Sequence, residues 1–464
     1  MPVKTPLTLQ QMWMWSLLSR YDNWKCVCSS ALRLKGRLDI PALERSLDVI
    51  LTQHSSLRTR MTLADGIPQQ YTDDPRPYRL VCTTVGGASA TEIQANAQRS
   101  FEEFSDLNMD LMVGPLFQVK LLKLDPREHW LLFAAHRFAA DCFSMDQVVP
   151  ELLSLYAADL QGRPLVLPAS QVQYRDYALR QQDTAEEWLR KHEPYWKRRL
   201  DKAVNLNWPA DECVASTPRG TLGRMSILLE STLSNQLRDI ARRERTLLAN
   251  VMLAVYVAVL SRWCKQTDFV VAFFVAGRQS EHKHVVGYFP HILYLRMELT
   301  GRETFRDLLR YVGNEFFRAL SHQDFGRMAN REPRLLQGTF FQWLTWHSDD
   351  ASGVHLTPDI PDLTVEPISV AAFAENVTAI PPGLVDVEIT LFDTSQGIYA
   401  SGAYRADLFT SHTMQRFMEV LRSTAEQLAQ DPGAPMLTLF GEDPPETPPP
   451  TPNSPTPTSV ASDR

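Results

Sequence analysis

The run Trp130-Leu131-Leu132-Phe133-Ala134-Ala135 carries no charge and turns at once into His136-Arg137-Phe138-Ala139-Ala140-Asp141-Cys142. A strand without polar alternation has to be covered on both faces, so it calls for a sheet with a packed layer on each side. The spacing predicts a preceding strand over 117–124, a turn at Asp125-Pro126-Arg127 and a helix over 144–160. The polar loop between strand and helix thus leaves the end of a core strand. A lone His in that place is more often packed or at the surface than catalytic, so the rest of the chain has to decide its role.

Elsewhere the pattern alternates between helix and strand. A helix is predicted over 8–18, where Leu9, Met12, Trp13 and Leu17 share a face, and a strand over 26–34. Asp39 is suited to cap a helix with Pro41 in its first turn and Leu43, Leu47 and Ile50 at helical spacing. After a proline-containing connection at 164–168, a charged helix over 183–200 bridges two lobes. The second half repeats the grammar, with a strand at 225–229, helices at 234–245 and 247–263, and a strand at 269–276. A chain of 464 residues exceeds one small core. The expectation is an α/β (α+β) protein of two domains or lobes. From Gly441 the composition breaks, and prolines at 444, 445, 448, 449, 450, 452, 455 and 457 predict an extended, disordered tail over 441–464.

Composition excludes some classes of function. The formal net charge is −7, and the basic clusters Lys197-Arg198-Arg199 and Arg242-Arg243 are short, so no nucleic-acid partner is expected. The apolar run 247–260 is interrupted by Asn250 and falls short of the ~20 residues of a membrane span. It reads as a buried helix, with no membrane partner. Residues 1–20 show no secretory signal pattern. Six cysteines stand at 26, 28, 82, 142, 213 and 264 without repeated spacing. Cys26-Val27-Cys28 lacks a CxxC register, and its thiols are expected on opposite faces. Reduced thiols in a cytoplasmic protein, with no metal, are the expectation.

A series of motifs then lifts the loop out of the ordinary. His136-Arg137-Phe138-Ala139-Ala140-Asp141-Cys142 resembles the HHxxxDG signature of nonribosomal peptide synthetase condensation domains. Leu7-Thr8-Leu9-Gln10-Gln11-Met12-Trp13-Met14-Trp15 resembles the family's first motif, and Gln53-His54-Ser55-Ser56-Leu57-Arg58-Thr59 its second. Tyr174-Arg175-Asp176-Tyr177-Ala178, Val286-Gly287-Tyr288-Phe289 with Leu295-Arg296, His322-Gln323-Asp324-Phe325 and Tyr404-Arg405-Ala406-Asp407-Leu408-Phe409 follow in the family's order. Each is loose alone. Together they cover everything but the tail, and the chain is identified as resembling a free-standing condensation domain.

The resemblance implies a two-lobed chloramphenicol-acetyltransferase-like fold, with lobes at 1–180 and 181–440 and the motif in a central tunnel. It implies a donor acyl or peptidyl group on the phosphopantetheine arm of a carrier protein acting in trans, and an amine or alcohol acceptor. No bound cofactor or metal is implied. His136 takes the place of a packing and hydrogen-bonding residue. Asp141 takes a structural place, with Arg278 of Ala276-Gly277-Arg278 as its partner.

Two positions depart from the signature. Where the family has its second His, Arg137 has no acceptor site and stays protonated, so general-base catalysis by residue 137 is excluded. Its five donors could still stabilise an oxyanion or hold a carboxylate. Cys142 replaces a Gly, where a thiol narrows the tunnel. It reads as a small filler, or as a nucleophile beside His136. Three roles stay open: an acyltransferase (amide- or ester-forming) with an altered site, a non-catalytic module, or a decayed paralogue. The second resembles domains of glycopeptide-antibiotic assembly lines that carry Arg in this place and recruit tailoring oxygenases.

Overall fold

A computed structural model describes residues 3–21, 24–167, 172–211, 217–218, 220–323, 338–345, 358–368, 381 and 383–435. In chain order its elements begin β1 (Lys4–Pro6), α1 (Leu9–Leu18), β2 (Val27–Gly36), α2 (Ile40–Gln53), β3 (Thr59–Ala64), β4 (Ile67–Thr72), β5 (Val81–Thr84) and α3 (Ala90–Ser105). The strand pair β6 (Phe117–Asp125) and β7 (Glu128–His136) leads into α4 (Cys142–Leu160), α5 (Tyr174–Asp183) and α6 (Ala185–Arg199). Then follow β8 (Leu222–Glu230), α7 (Ser231–Arg243), α8 (Leu248–Trp263), β9 (Asp268–Val275), β10 (His291–Glu298) and α9 (Phe305–Leu320). The last are β11 (Thr339–Thr345), β12 (Leu363–Pro367), β13 (Val387–Thr394), β14 (Gly397–Arg405) and α10 (Ser411–Gln430).

Local chemistry sets the element ends. Thr8 and Gln11 close a reciprocal capping box on α1, and the Asp39 carboxylate accepts the Ala42 N–H at 2.9 Å to start α2. The charged segment after residue 183 is one helix, α6, preceded by a separate α5. Thr184 sits between them, its hydroxyl donating back to the Arg180 carbonyl at 2.9 Å.

Two larger sheets and a small one result. The five-stranded sheet has the order β12-β2-β7-β6-β5, and the six-stranded sheet the order β10-β9-β11-β13-β14-β8. β7 is central in the first, antiparallel to β2 and β6. Its alternation divides two cores. Trp130, Leu132 and Ala134 pack in one with Phe101 and Phe104 of α3. Leu131, Phe133 and Ala135 pack in the other with Leu43 and Leu47 of α2 and Leu152 and Tyr156 of α4. This is why the strand tolerates no polar residue along 130–135.

In the second half α8 is buried all round from Val251 to Leu260, and the Asn250 amide nitrogen donates to the Thr246 hydroxyl at 3.1 Å. Among the described residues no single helix is long and apolar enough to cross a membrane. Cys26 and Cys28 do part, although regular alternation would place i and i+2 on one face. Cys26 precedes β2 and packs by Met14, whereas Cys28 lies inside the strand and joins the other core. Cys213, Asp324, Phe325 and the proline-rich tail lie outside the described residues.

β12 has no counterpart in the sequence expectations. It comes from far along the chain yet pairs antiparallel with β2, from Leu363↔Gly36 to Pro367↔Leu32. The crossing needs a glycine: Gly36 has φ +136°, and a Cβ there would lie 1.9 Å from the Asp362 carbonyl oxygen. Gly36→Ala is therefore expected to lower stability by about 1–3 kcal/mol. Urea unfolding should show a reduced midpoint, and an unchanged midpoint would mean that the β2–β12 pairing yields freely.

Candidate active site

β7 delivers His136 to the end of the first sheet, and four further residues lead to Asp141, the N-cap of α4. His136 is buried, with 3 % exposure. Its Nδ1 accepts the Phe138 N–H at 3.0 Å, an assignment that leaves the proton of the neutral ring on Nε2. Burial first, and then the Arg137 charge, push the imidazole down to about 3. Its chemistry at neutral pH is that of a packed, neutral ring and a weak base.

Arg137 donates its backbone N–H to the Cys26 carbonyl at 2.8 Å and is 6 % exposed. Burial disfavours its charge, but Cys28, Cys26, Cys142 and Tyr288 outweigh that and hold the guanidinium above its ordinary value. It is a permanent cation in a setting of thiols and a phenol. Beside it the Cys28 and Cys142 sulfurs stand 3.4 Å apart. The thiol contact from Cys142 draws Cys28 below the ordinary thiol range despite its burial, and Arg137 adds to this by charge and hydrogen bond. The same contact, and then burial, push Cys142 well above the ordinary thiol value.

Asp141 caps α4 and ties the two larger sheets together. Its Oδ1 accepts the Ser144 N–H at 2.8 Å and the Arg278 Nη2 at 2.6 Å; its Oδ2 accepts the Phe289 N–H at 3.2 Å. Its own N–H donates to the Gly287 carbonyl at 3.0 Å. The Ser144 hydroxyl is a second node, accepting from Arg278 Nη2 at 2.8 Å and from the Gly287 N–H at 3.0 Å. Arg278 also donates to the Val285 carbonyl at 2.5 Å and lies 4.4 Å from the Phe289 ring centroid.

Motifs far apart in sequence meet around this frame. The Tyr174 hydroxyl donates to the Tyr288 carbonyl at 2.5 Å and lies 3.0 Å from Thr8 Oγ1. Gln11 donates to the Phe138 carbonyl at 3.1 Å, so α1 holds the loop from behind. Gly287 is required because a Cβ there would fall 2.0 Å from the Tyr174 ring. In the second motif, His54 Nε2 lies 2.6 Å from Glu151 of α4. Arg405 pairs instead with Asp386 and Asp407 at the end of β14.

The structure thus brings together all five residues singled out from the sequence: His136, Arg137, Asp141, Cys142 and Arg278. Sequence reasoning missed Ser144, although Asp141-x-x-Ser144 is a helix-start pattern that could have flagged it. It also missed Cys28, whose contact with Cys142 spans 114 positions and has no local signature. Among the described residues no three His, Cys, Asp or Glu side chains are placed to hold a metal.

Residues 3–441 match the condensation-domain family model, and the chain belongs to that family. It is 27% identical over 413 residues to bacitracin synthase 1 of Bacillus licheniformis, a match that covers 87% of this chain and 7% of that protein. The chain therefore spans a small fraction of the large synthase it resembles. Among solved structures, the complex of the X-domain and OxyB from teicoplanin biosynthesis matches with a TM-score of 0.77 at 23% identity, over 95% of this chain and 96% of that one. The first condensation domain of the calcium-dependent antibiotic synthetase, in complex with a substrate analogue, matches with a TM-score of 0.75 at 20% identity, over 94% and 98%. These likenesses establish the two-lobed chloramphenicol-acetyltransferase-like fold.

Two outcomes test the site geometry. Asp141→Ala strands the Arg278 cation in the interior and removes a cap, and is expected to cost about 3–5 kcal/mol. Chemical unfolding should show the Asp141→Ala/Arg278→Ala double variant losing less than the sum of the two singles; simple additivity would mean no coupling. His136 has a folded value below its ordinary 6.5, so the unfolded chain takes up a proton that the folded one refuses. The stability it contributes is full above pH 6.5 and declines as pH falls toward about 3. The urea-midpoint advantage of wild type over His136→Gln should shrink across that window, and a constant advantage would contradict a buried neutral ring.

Proposed function

We propose that this chain works in nonribosomal peptide biosynthesis in the cytoplasm, transferring an acyl or peptidyl group from a carrier protein's phosphopantetheine arm to an amine or alcohol. The lobes at 1–180 and 181–440 would enclose the reaction, and no bound cofactor is needed. One observation carries the reading: the frame of Asp141, Ser144 and Arg278 is complete, and it presents a buried cation at residue 137. A site that excludes water multiplies the effect of such a charge.

In this reading Arg137 stabilises the oxyanion that forms when the acceptor adds to the thioester carbonyl. It takes no proton, and His136, held neutral with Nδ1 occupied, orients the loop. The acceptor therefore has to arrive as a neutral amine, or as an alcohol that loses its proton to water. Holding both substrates in register supplies the remaining acceleration. Asp141 and Arg278 position, and Cys142 lines.

The absence of a base at residue 137, with the fold likeness to an X-domain solved together with OxyB, favours a second reading. There the chain holds a carrier-borne peptide for a tailoring enzyme and transfers nothing. Intact-protein mass spectrometry of loaded carrier, chain and amine separates the two. The proposal expects loss of the acyl mass from the carrier only when chain and acceptor are present, slowed about 100-fold by Arg137→Gln. Carrier binding without acyl loss at any acceptor would establish the second reading instead.

A further inference from the structure

Cys28 and Cys142 come from β2 and from the first residue of α4, yet their sulfurs touch at 3.4 Å. Both are free, Cys28 buried and Cys142 half-buried. Three features distinguish them from the other described thiols. The Arg137 guanidinium places its positive charge beside Cys28. Cys142 is the first residue of α4, directly after its Asp141 cap, and meets Cys28 from there. The pair is also partly open to solvent through Cys142. By contrast Cys26 packs 3.9 Å from the Met14 sulfur, and burial pushes its thiol up to about 12. Burial likewise raises Cys264, and Cys82 is exposed with its thiol directed at the Leu80 carbonyl.

We propose that Cys28 and Cys142 form an oxidisable dithiol beside Arg137, converted by a low-molecular-weight disulfide into an intramolecular disulfide. Half-exposed Cys142 attacks the external disulfide RS–SR first, forming Cys142–S–SR, and its proton leaves with the released RSH. Cys28 then gives up its proton and attacks the Cys142 sulfur, closing the Cys28–Cys142 bond and expelling the second RS⁻, which takes up that proton as RSH. The two cysteines lose two electrons and two protons, and the external disulfide becomes two thiols. The new bond ties β2 to the start of α4 across Arg137 and leaves neither sulfur ionisable beside the guanidinium. Oxidation thus exchanges a cation paired with sulfur for one open to another anion. Neither reading of the function is needed for this chemistry.

The test uses the full chain, reduced, freed of reductant and treated with oxidised glutathione under native conditions. Remaining thiols are then blocked with N-ethylmaleimide in denaturant and tryptic peptides are mapped without reduction. The expected result is a peptide 26–33 linked to peptide 138–175, carrying maleimide on Cys26 and no glutathione, and lost on adding dithiothreitol. Cys26→Ser should keep the link, whereas Cys28→Ser should lose it and leave glutathione on Cys142. Circular dichroism melts confirm that the variants are folded, and the wild-type map stands without them. A glutathione adduct that persists on Cys142 in wild type would overturn the proposal. So would a link through Cys26, or modification confined to Cys82.

Discussion

The contact between Asp141 and Arg278 holds this structure in its working shape. Asp141 ends the loop that leaves the five-stranded sheet, and Arg278 follows β9 of the six-stranded sheet. Their 2.6 Å bond joins the two layers at the point where the altered motif lies. Both groups are taken out of water, a cost that a single bond would not repay. The surrounding donors repay it: Asp141 also accepts from Ser144 and Phe289, and Arg278 is shared with the Ser144 hydroxyl and the Val285 carbonyl. Each carboxylate oxygen is used, so the pair fixes direction as well as distance. Helix α4, the strand β7 and the segment 285–289 all take their positions from it.

Given that frame, the chemistry of residues 136–142 follows from what each side chain can accept or donate. His136 spends its Nδ1 on the Phe138 N–H, and burial beside Arg137 keeps it neutral. Arg137 can donate but never accept. Cys142 adds a sulfur where the family signature has none, and that sulfur meets Cys28. The site has lost its proton acceptor and gained a cation flanked by two thiols. A buried guanidinium needs electron-rich neighbours, and the sulfurs supply them.

Much of this was legible in the sequence because it is local. The apolar run 130–135, the Asp39 cap and the helical spacing of Leu43, Leu47 and Ile50 are decided within a few residues, and the elements form where expected. The partnership of Asp141 with Arg278 came from family likeness rather than spacing. What stayed hidden depends on distant contacts. β12 is five residues long and finds β2 only through the closed fold. The Cys28–Cys142 contact needs β2 laid against β7, in a register that places Cys28 opposite Ala135. The helix expected over 183–200 forms as α6, whereas α5 had no helix expectation, its first residues having been read only as a family motif.

The central claim is that the frame survives while the base does not, so that any transfer relies on the acceptor's own protonation. The most direct measurement is the pH dependence of acyl transfer from a loaded carrier to a series of amines of differing basicity. The account predicts that the midpoint of each rate profile moves in step with the pKa of the amine supplied. A midpoint that stays at one pH for every amine would reveal a protein base and contradict the account, and the absence of transfer to any of them would end the transferase reading.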